Sequence, residues 1–251
     1  MNHAQAATPA HRITARLAAG LLAATAALAA ATAQAGDFIV YSPYVTQGRS
    51  ELEFRGSRFH DGDPTVSGSG SYAFSFAHGV TSWWKPEIYF ANFDRTPSGS
   101  TTLAAYEFEN TFQLAPQGKY WADPGFLFSY EHVKAAGEPN VVEFGPLLEK
   151  RSGRFDHRLN MIWEKQVGGG ASSQYEFRAS YAVDYRVRTA FRPGLEAYYR
   201  PDDDASHLGP VVNGEFYSST GNELAYSVGV LFGLTSSSPN ETYVARLEYE
   251  F

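Results

Sequence analysis

Apolar and polar residues alternate along most of the chain, and the pattern is clearest at the C-terminal end, ETYVARLEYEF. The apolar side chains there share one parity and are Tyr243, Ala245, Leu247, Tyr249 and Phe251. The other parity carries Thr242, Arg246, Glu248 and Glu250. Strict two-residue alternation is typical of a β-strand with one apolar and one polar face. The same pattern recurs in SELEFRG, SYAFSFA, KPEIYFA and AAYEFEN, and it runs longest in QYEFRASYAVDYRV.

Clusters of Gly, Pro, Asn, Asp and Ser separate the alternating segments, and such clusters mark turns. The predicted strands span residues 49–59, 69–77, 84–93, 101–114, 125–134, 140–149, 154–167, 173–187, 190–200, 208–217, 223–234 and 241–251. The sequence therefore predicts an all-β protein of about twelve strands, with ten or fourteen as alternatives.

The apolar parity is rich in Phe, Tyr and Leu on nearly every predicted strand, which raises the question of what covers it. The longest apolar stretch after residue 35, VGVLFGL, is far shorter than the roughly 20 residues that a spanning helix needs. Strands of about 9–11 residues suffice to cross a membrane when they close into a barrel that satisfies every backbone hydrogen bond. We therefore predict a transmembrane antiparallel up-and-down β-barrel over residues 49–251.

Aromatic residues at the predicted strand ends agree with this interpretation. Trp83, Trp84, Tyr120, Trp121 and Trp163 occupy such positions, where amphipathic rings form girdles at the membrane interface. A soluble secreted β-sandwich is the alternative, with these Trp residues in its core. It does not account for an apolar face that recurs on nearly every strand.

The N-terminal region indicates export. His11, Arg12 and Arg16 precede a run of mainly Ala and Leu that ends in AQA at residues 33–35. A charged start, a short apolar middle and small residues before a cut are typical of a secretory signal peptide. We expect residues 1–35 to be removed and residues 36–48 to form a short periplasmic N-terminal segment. The absence of cysteine fits an exported fold that does not depend on disulfides, and the net charge of −7 argues against a nucleic-acid partner.

A strand that ends on a terminal Phe, preceded by apolar residues at alternate positions, resembles the C-terminal signature of bacterial outer-membrane β-barrel proteins. The resemblance implies a location in the outer membrane with both termini in the periplasm. It also implies that the barrel-assembly machinery recognises the last strand, with Tyr249 and Phe251 as the assembly signal. The segments YEFENTFQL and ARLEYEF suggest a narrower resemblance to small transporter-like barrels associated with phenol degradation.

The polar parity, which faces inward in such a barrel, carries the candidate functional residues. The first six strands contribute mainly Glu, and the next three contribute most of the Arg. The predicted pore-lining residues are Glu53, Glu107, Glu109, Glu143, Arg158, Arg178, Arg186 and Arg192. One interpretation is a channel or porin-like transporter for small polar or charged solutes, selected by opposed walls of charge. The other is a lumen filled by Glu–Arg pairs, because twelve strands lie between the filled eight-stranded barrel and the aqueous sixteen-stranded pore.

Enzymatic chemistry has weaker support in the sequence. His60, His132 and His207 fall near the predicted outer rim, close to the HDGD and DDD clusters, so a rim hydrolase of the lipase or deacylase type is the alternative, beside a structural or adhesive role. No histidine lies in a G-x-S-x-G setting or at metal-ligand spacing. The acidic clusters lack a full Ca²⁺-loop signature. We therefore predict no catalytic residues, no metal and no cofactor.

Overall fold

Twelve antiparallel strands form a closed barrel in the computed structural model, which describes residues 38–251. Each strand pairs with its neighbours along the chain, and β1 pairs with β12 to close the sheet. The strands are β1 (Ser50–His60), β2 (Gly70–His78), β3 (Trp84–Arg95), β4 (Thr101–Gln113), β5 (Asp123–Val133), β6 (Asn140–Ser152), β7 (Phe155–Val167), β8 (Tyr175–Tyr185), β9 (Arg192–Arg200), β10 (Ala205–Tyr217), β11 (Glu223–Gly233) and β12 (Glu241–Glu250). A short 3-10 helix, Pro201–Asp203, precedes β10.

The prediction of a twelve-stranded all-β barrel is confirmed. The largest boundary differences are three residues, where β6 ends at 152 against the predicted 149 and β10 begins at 205 against the predicted 208. Alternation fixes the strands this closely because each residue of a barrel strand faces either the lumen or the outside.

The two ends of the barrel differ in what they carry. We call the end with Ser50 and Phe251 the terminal end, and the opposite end the loop end. Ser50 and Phe251 each donate their backbone N–H to the other's carbonyl oxygen, both at 2.9 Å, which joins β1 to the last residue of the chain. Because the strand count is even, both ends of the barrel sequence lie at the same end of the sheet.

The outer surface of the barrel is an apolar belt. Phe, Tyr, Leu and Ile side chains of every strand point away from the lumen, and Ile88 and Phe90, for example, are 52% and 50% exposed. A contiguous apolar surface of this extent is unusual on a monomeric soluble protein. Among the described residues, no helix has the length and hydropathy needed to span a bilayer.

A segment before β1 lies inside the barrel, which differs from the expected periplasmic segment at 36–48. Its described part, residues 38–45, is here called the lumen segment. It has no regular secondary structure, and Ile39, Val40 and Tyr41 are buried. At the terminal end the chain turns back into β1 at Gly48, whose φ of +81° favours glycine. The expected signal peptide at 1–35 lies outside the described residues.

Two apolar clusters form where the lumen segment meets the barrel wall. Ile39 and Tyr41 pack against Leu127, Leu147 and Ile162 of β5, β6 and β7. Val40 packs on the other side of the segment, against a cluster made of Ala182, Tyr198, Val211, Leu231 and Val244. The interior of this barrel therefore contains a small hydrophobic core, with the lumen segment at its centre.

Candidate functional site

Seven of the eight predicted pore-lining residues occupy inward positions on the strands. They are Glu53, Glu107, Glu109, Glu143, Arg158, Arg178 and Arg192. Arg186 differs, because β8 ends at Tyr185 and Arg186 is exposed in the turn that follows. Its backbone N–H still donates to the carbonyl oxygen of Arg154 at 2.8 Å, but its side chain is exposed at the terminal end.

Carboxylates outnumber basic side chains more than twofold at the inward positions. The inward carboxylates are Glu51, Glu53, Glu87, Asp94, Glu107, Glu109, Asp123, Glu131, Glu143, Glu149, Asp156, Glu164, Glu176, Asp184, Glu196, Glu215, Glu223, Glu248 and Glu250. The inward bases are Arg55, Lys85, Arg151, Arg158, Arg178, Arg192, Arg200 and Arg246. The lumen is thus strongly acidic.

Most ion pairs join nearby strands on one wall. Arg178 of β8 pairs with Glu143 of β6 at 2.6 Å and with Glu164 of β7 at 2.8 Å. Asp184 lies 3.3 Å from Arg158 and 3.5 Å from Arg192. Buried guanidinium groups with several carboxylate partners are held in fixed positions, because both ions have lost most of their hydration.

The opposite wall, made by β1 to β4, has an excess of Glu. Arg55 pairs with Glu53 at 2.5 Å and lies 4.3 Å above the centre of the Tyr89 ring. Lys85 pairs with Glu51 at 2.6 Å. Within the described part of the chain, these pairs leave Glu87, Glu107 and Glu109 without a salt bridge.

Sequence reasoning missed two kinds of lumen residue. Arg246 of β12 pairs with Glu196 of β9, and the parity of the last strand was a sufficient signal to place it inward. Tyr41 carried no such signal, because it precedes the first strand and its place in the lumen depends on contacts far away in the sequence.

Tyr41 crosses the lumen. Its backbone N–H donates to Asn160 Oδ1 at 2.7 Å, and Asn160 Nδ2 donates to the Tyr41 carbonyl oxygen at 3.0 Å. Its hydroxyl accepts a hydrogen bond from Arg55 Nη1 at 3.3 Å. Asn160 lies on β7 and Arg55 on β1, and these strands face each other across a closed twelve-stranded sheet. The lumen is therefore bridged from wall to wall at this height.

Further contacts fix the lumen segment along the height of the barrel. Towards the terminal end, Ser42 Oγ donates to Glu149 Oε2 at 2.6 Å and the Tyr44 hydroxyl donates to Asp123 Oδ2 at 2.7 Å. Towards the loop end, the Phe38 ring meets the rings of Tyr198 and His207 edge to face, at centroid distances of 5.3 and 5.1 Å. Eight residues span at most about 26–29 Å when fully extended, against the roughly 30 Å thickness of a bilayer core.

Several buried polar atoms on the inward face make no hydrogen bond to the described residues. They include Tyr89 OH, Glu109 Oε2, Ser129 Oγ, Asp156 Oδ1, Glu196 Oε1 and Ser227 Oγ. In native structures such atoms are normally bonded to protein or to ordered water. Their number indicates a lumen that is polar enough to hold water.

The rim groups do not converge on a catalytic arrangement among the described residues. His60 is exposed and 3.9 Å from Glu241, and His132 contacts Asn140 at 3.0 Å. His207 lies in the lumen against Phe38 and not in a rim loop.

The HDGD cluster stabilises its own loop. Asp61 accepts hydrogen bonds from the backbone N–H groups of Asp63 and Asn240, which hold the pKa of its carboxyl below its usual range. Asp63 accepts from the Thr65 side chain and backbone, with the same effect on its pKa. Local bonds of this kind account for both carboxylates without a bound ion.

Two solved structures have the same fold. The NanC porin aligns with 80% of this chain and 98% of its own at 12% identity, with a TM-score of 0.51. An outer membrane channel from Pseudomonas putida aligns with 82% of this chain and 96% of its own at 11% identity, with a TM-score of 0.54. No protein-family model and no curated sequence matches the chain. The fold is that of bacterial outer-membrane β-barrels.

Proposed function

We propose that this protein is an outer-membrane channel for small polar solutes, with a preference for cations, whose lumen is closed at rest by the lumen segment. The observation that carries the proposal is the acidic, incompletely hydrogen-bonded inner face described above. A barrel with a purely structural interior would need only paired or apolar side chains there, because an unpaired buried polar group costs about 1–3 kcal/mol.

The apolar outer surface of the barrel favours a location in the outer membrane. An apolar belt encloses a sheet without free edges, and only closed barrels and helices satisfy their backbone groups in lipid. The expected periplasmic position of the terminal end and the assembly role of Tyr249 and Phe251 belong to this proposal. The expected periplasmic position of the N-terminus does not, because Phe38, the first described residue, lies towards the loop end. The fold shared with a porin and with an outer membrane channel supports it.

The cation preference follows from the charge on the inner face. Charges on low-dielectric walls focus the field and raise the local concentration of counter-ions. Rings or walls of Asp and Glu favour cations in pores of known selectivity. Since the inward carboxylates outnumber the inward bases, we expect K⁺ to pass more readily than Cl⁻.

The closed state follows from the lumen segment. Tyr41 bridges β7 to β1, and residues on both sides of it pack against the walls. A solute can pass Tyr41 only if the lumen segment moves aside. Opening must break the hydrogen bonds and apolar contacts of the segment, and each hydrogen bond contributes about 0.5–1.5 kcal/mol net.

Planar-bilayer recordings of the full chain and of a variant that lacks residues 38–45 test the proposal. We expect low or intermittent conductance for the full chain and steady, cation-preferring conductance for the variant. Liposome swelling with uncharged sugars of increasing size then gives the width of the open lumen. A folded variant that conducts no ion and admits no solute would favour the filled-lumen interpretation and overturn the proposal.

A further inference from the structure

We propose that the middle of the lumen contains a binding site for amphiphilic organic cations, solutes that join an apolar body to a primary ammonium group. The inference rests on the proposed channel function and names the class of solute that the channel selects. The site overlaps the position of Tyr41, so that solute and lumen segment compete for it.

One side of the site is apolar. Leu127, Leu147 and Ile162 face the lumen from three consecutive strands and are at most 1% exposed. Val211, Leu231 and Val244 form a second apolar surface on β10 to β12, on the other side of the lumen segment, where Val40 packs. Apolar side chains that face the lumen are unexpected in a passage for ions alone, because they offer an ion no ligand. They suit a solute with an apolar body.

The wall that adjoins this apolar surface, made by β3 to β5, is acidic and incompletely hydrogen-bonded. Glu109 is 1% exposed, and its Oε2 has no hydrogen-bond partner among the described residues. Ser129, directly opposite Glu109 in the register of β4 and β5, is fully buried with an unpartnered hydroxyl. Glu87 is opposite Glu109 in the register of β3 and β4. These oxygens can accept the three N–H donors of an ammonium group.

The local charge selects a cation over an anion. Glu87, Glu107 and Glu109 lie on the same wall without a salt bridge in the described part of the chain. The bases of this wall are already paired, Arg55 with Glu53 and Lys85 with Glu51, and Arg55 also stacks on Tyr89. An ammonium group placed among these carboxylates offsets their mutual repulsion, whereas an anion increases it.

Tyr41 shows that one aromatic ring with a polar tip spans the site. Its ring belongs to the apolar cluster, and its hydroxyl reaches Arg55 on the acidic wall beside Glu109. A benzylammonium ion has a ring of the same size and a charged tip in place of the hydroxyl. We therefore choose it as the probe.

The first experiment measures binding of benzylammonium to the full chain in detergent by calorimetry, with ammonium and phenylacetate as comparison ions. We expect binding of benzylammonium and at least tenfold weaker binding of both comparison ions. Glu109→Gln should weaken benzylammonium binding about tenfold, as expected for the loss of one charge-assisted hydrogen bond. Glu176→Gln is the matched control, because Glu176 is an inward carboxylate on β8, away from the site.

Equal weakening by both variants would show a general attraction to the acidic lumen and overturn the site, as would equal binding of benzylammonium and phenylacetate. Each variant must first show the compact, heat-modifiable gel band of a folded barrel. If Glu109→Gln does not fold, a series of alkylammonium ions on the full chain decides instead. Affinity that does not rise with chain length contradicts the apolar side of the site.

A second experiment tests the competition with Tyr41. The chain contains no cysteine, so Ser42→Cys introduces a single thiol into the lumen segment. We expect benzylammonium to speed its reaction with a bulky maleimide at least threefold, and not to affect Thr220→Cys, a thiol in an exposed turn. Unchanged labelling of Ser42→Cys at saturating probe overturns the overlap. Because neither experiment requires ion flux, both remain decisive if the channel proposal itself fails.

Discussion

At Gly125 the lumen segment packs directly against the backbone of the barrel wall. A Cβ atom at this position would lie 2.5 Å from Pro43 Cβ and 3.0 Å from the carbonyl oxygen of Phe112. Both Pro43 and the sheet backbone are rigid, so neither can move aside at low cost. The lumen segment can therefore occupy its position only because residue 125 has no side chain.

We expect Gly125→Ala to displace the lumen segment or to destabilise the barrel by about 1–3 kcal/mol, the usual cost of overpacking. The temperature at which the folded gel band is lost measures stability, and labelling of Ser42→Cys reports displacement. Gly169→Ala is the control, because a Cβ at that loop position would meet nothing within 4 Å. A Gly125→Ala variant that is unchanged in both measurements contradicts the close approach.

Tyr41 is the residue that spans the lumen, and two substitutions separate its ring from its hydroxyl. Tyr41→Phe removes only the hydroxyl and its bonds to Arg55 and Glu109, and it should leave the conductance of the full chain low. Tyr41→Ala also removes the ring from its cluster with Leu127, Leu147 and Ile162. We expect Tyr41→Ala to raise the open fraction several-fold in bilayer recordings, since burial of an aromatic ring contributes about 1.5–3 kcal/mol. Equal conductance of the two variants would show that the ring does not block the lumen.

At the scale of elements, β12 closes the barrel, and the predicted assembly signal is Tyr249 near its end together with Phe251 just after it. The Phe251 backbone makes two hydrogen bonds to Ser50, and its ring stacks on Tyr249 at a centroid distance of 5.6 Å. The Phe251 side chain is 43% exposed on the outer surface, where another protein can contact it.

Closure and recognition are separable by mutation. Deletion of Phe251 removes both the two backbone bonds and the ring, whereas Phe251→Ala removes only the ring. We expect both variants to lower the folded fraction in cell membranes, and only the deletion to lower it when the purified chain refolds in detergent without assembly machinery. Heat-modifiable gel bands measure both fractions. Normal assembly of both variants in cells would show that Phe251 is not part of the signal.

The lumen segment differs from the strands in what its sequence reveals. FIVYSPYV has consecutive apolar residues and no alternation, because its two sides both meet the barrel wall. Two-residue alternation reports a sheet with unlike faces, and a segment surrounded by wall has none. The alternation that predicted the strands therefore could not predict the position of the lumen segment.

For the whole molecule, the balance of charge in the lumen should set ion preference. Arg178→Gln removes a positive charge that two carboxylates surround, and we expect it to increase the preference for K⁺ over Cl⁻ in reversal-potential measurements across a salt gradient. Arg186→Gln is the matched control and should change the reversal potential little, because Arg186 is exposed in a turn at the terminal end.

The gel assay must confirm that Arg178→Gln folds, since loss of one partner from a buried ion pair costs about 3–5 kcal/mol. Equal shifts of the reversal potential for the two variants would show that distance from the lumen does not matter. That outcome would contradict the hypothesis that charges on the inner face determine the ion preference.

The sequence by itself determined an all-β barrel of about twelve strands, the strand ends to within three residues, and the face on which Glu53, Glu109 or Arg178 lies, whereas the structure decided for twelve strands against ten or fourteen. The sequence did so because alternation, turn residues and barrel closure are local or periodic constraints. Only the tertiary structure decided that Tyr41 crosses from β7 to β1, that Arg178 joins Glu143 and Glu164, and that Arg186 lies outside the strand. Those relations depend on register, on the end of β8 and on contacts between residues more than a hundred positions apart, which no local pattern encodes.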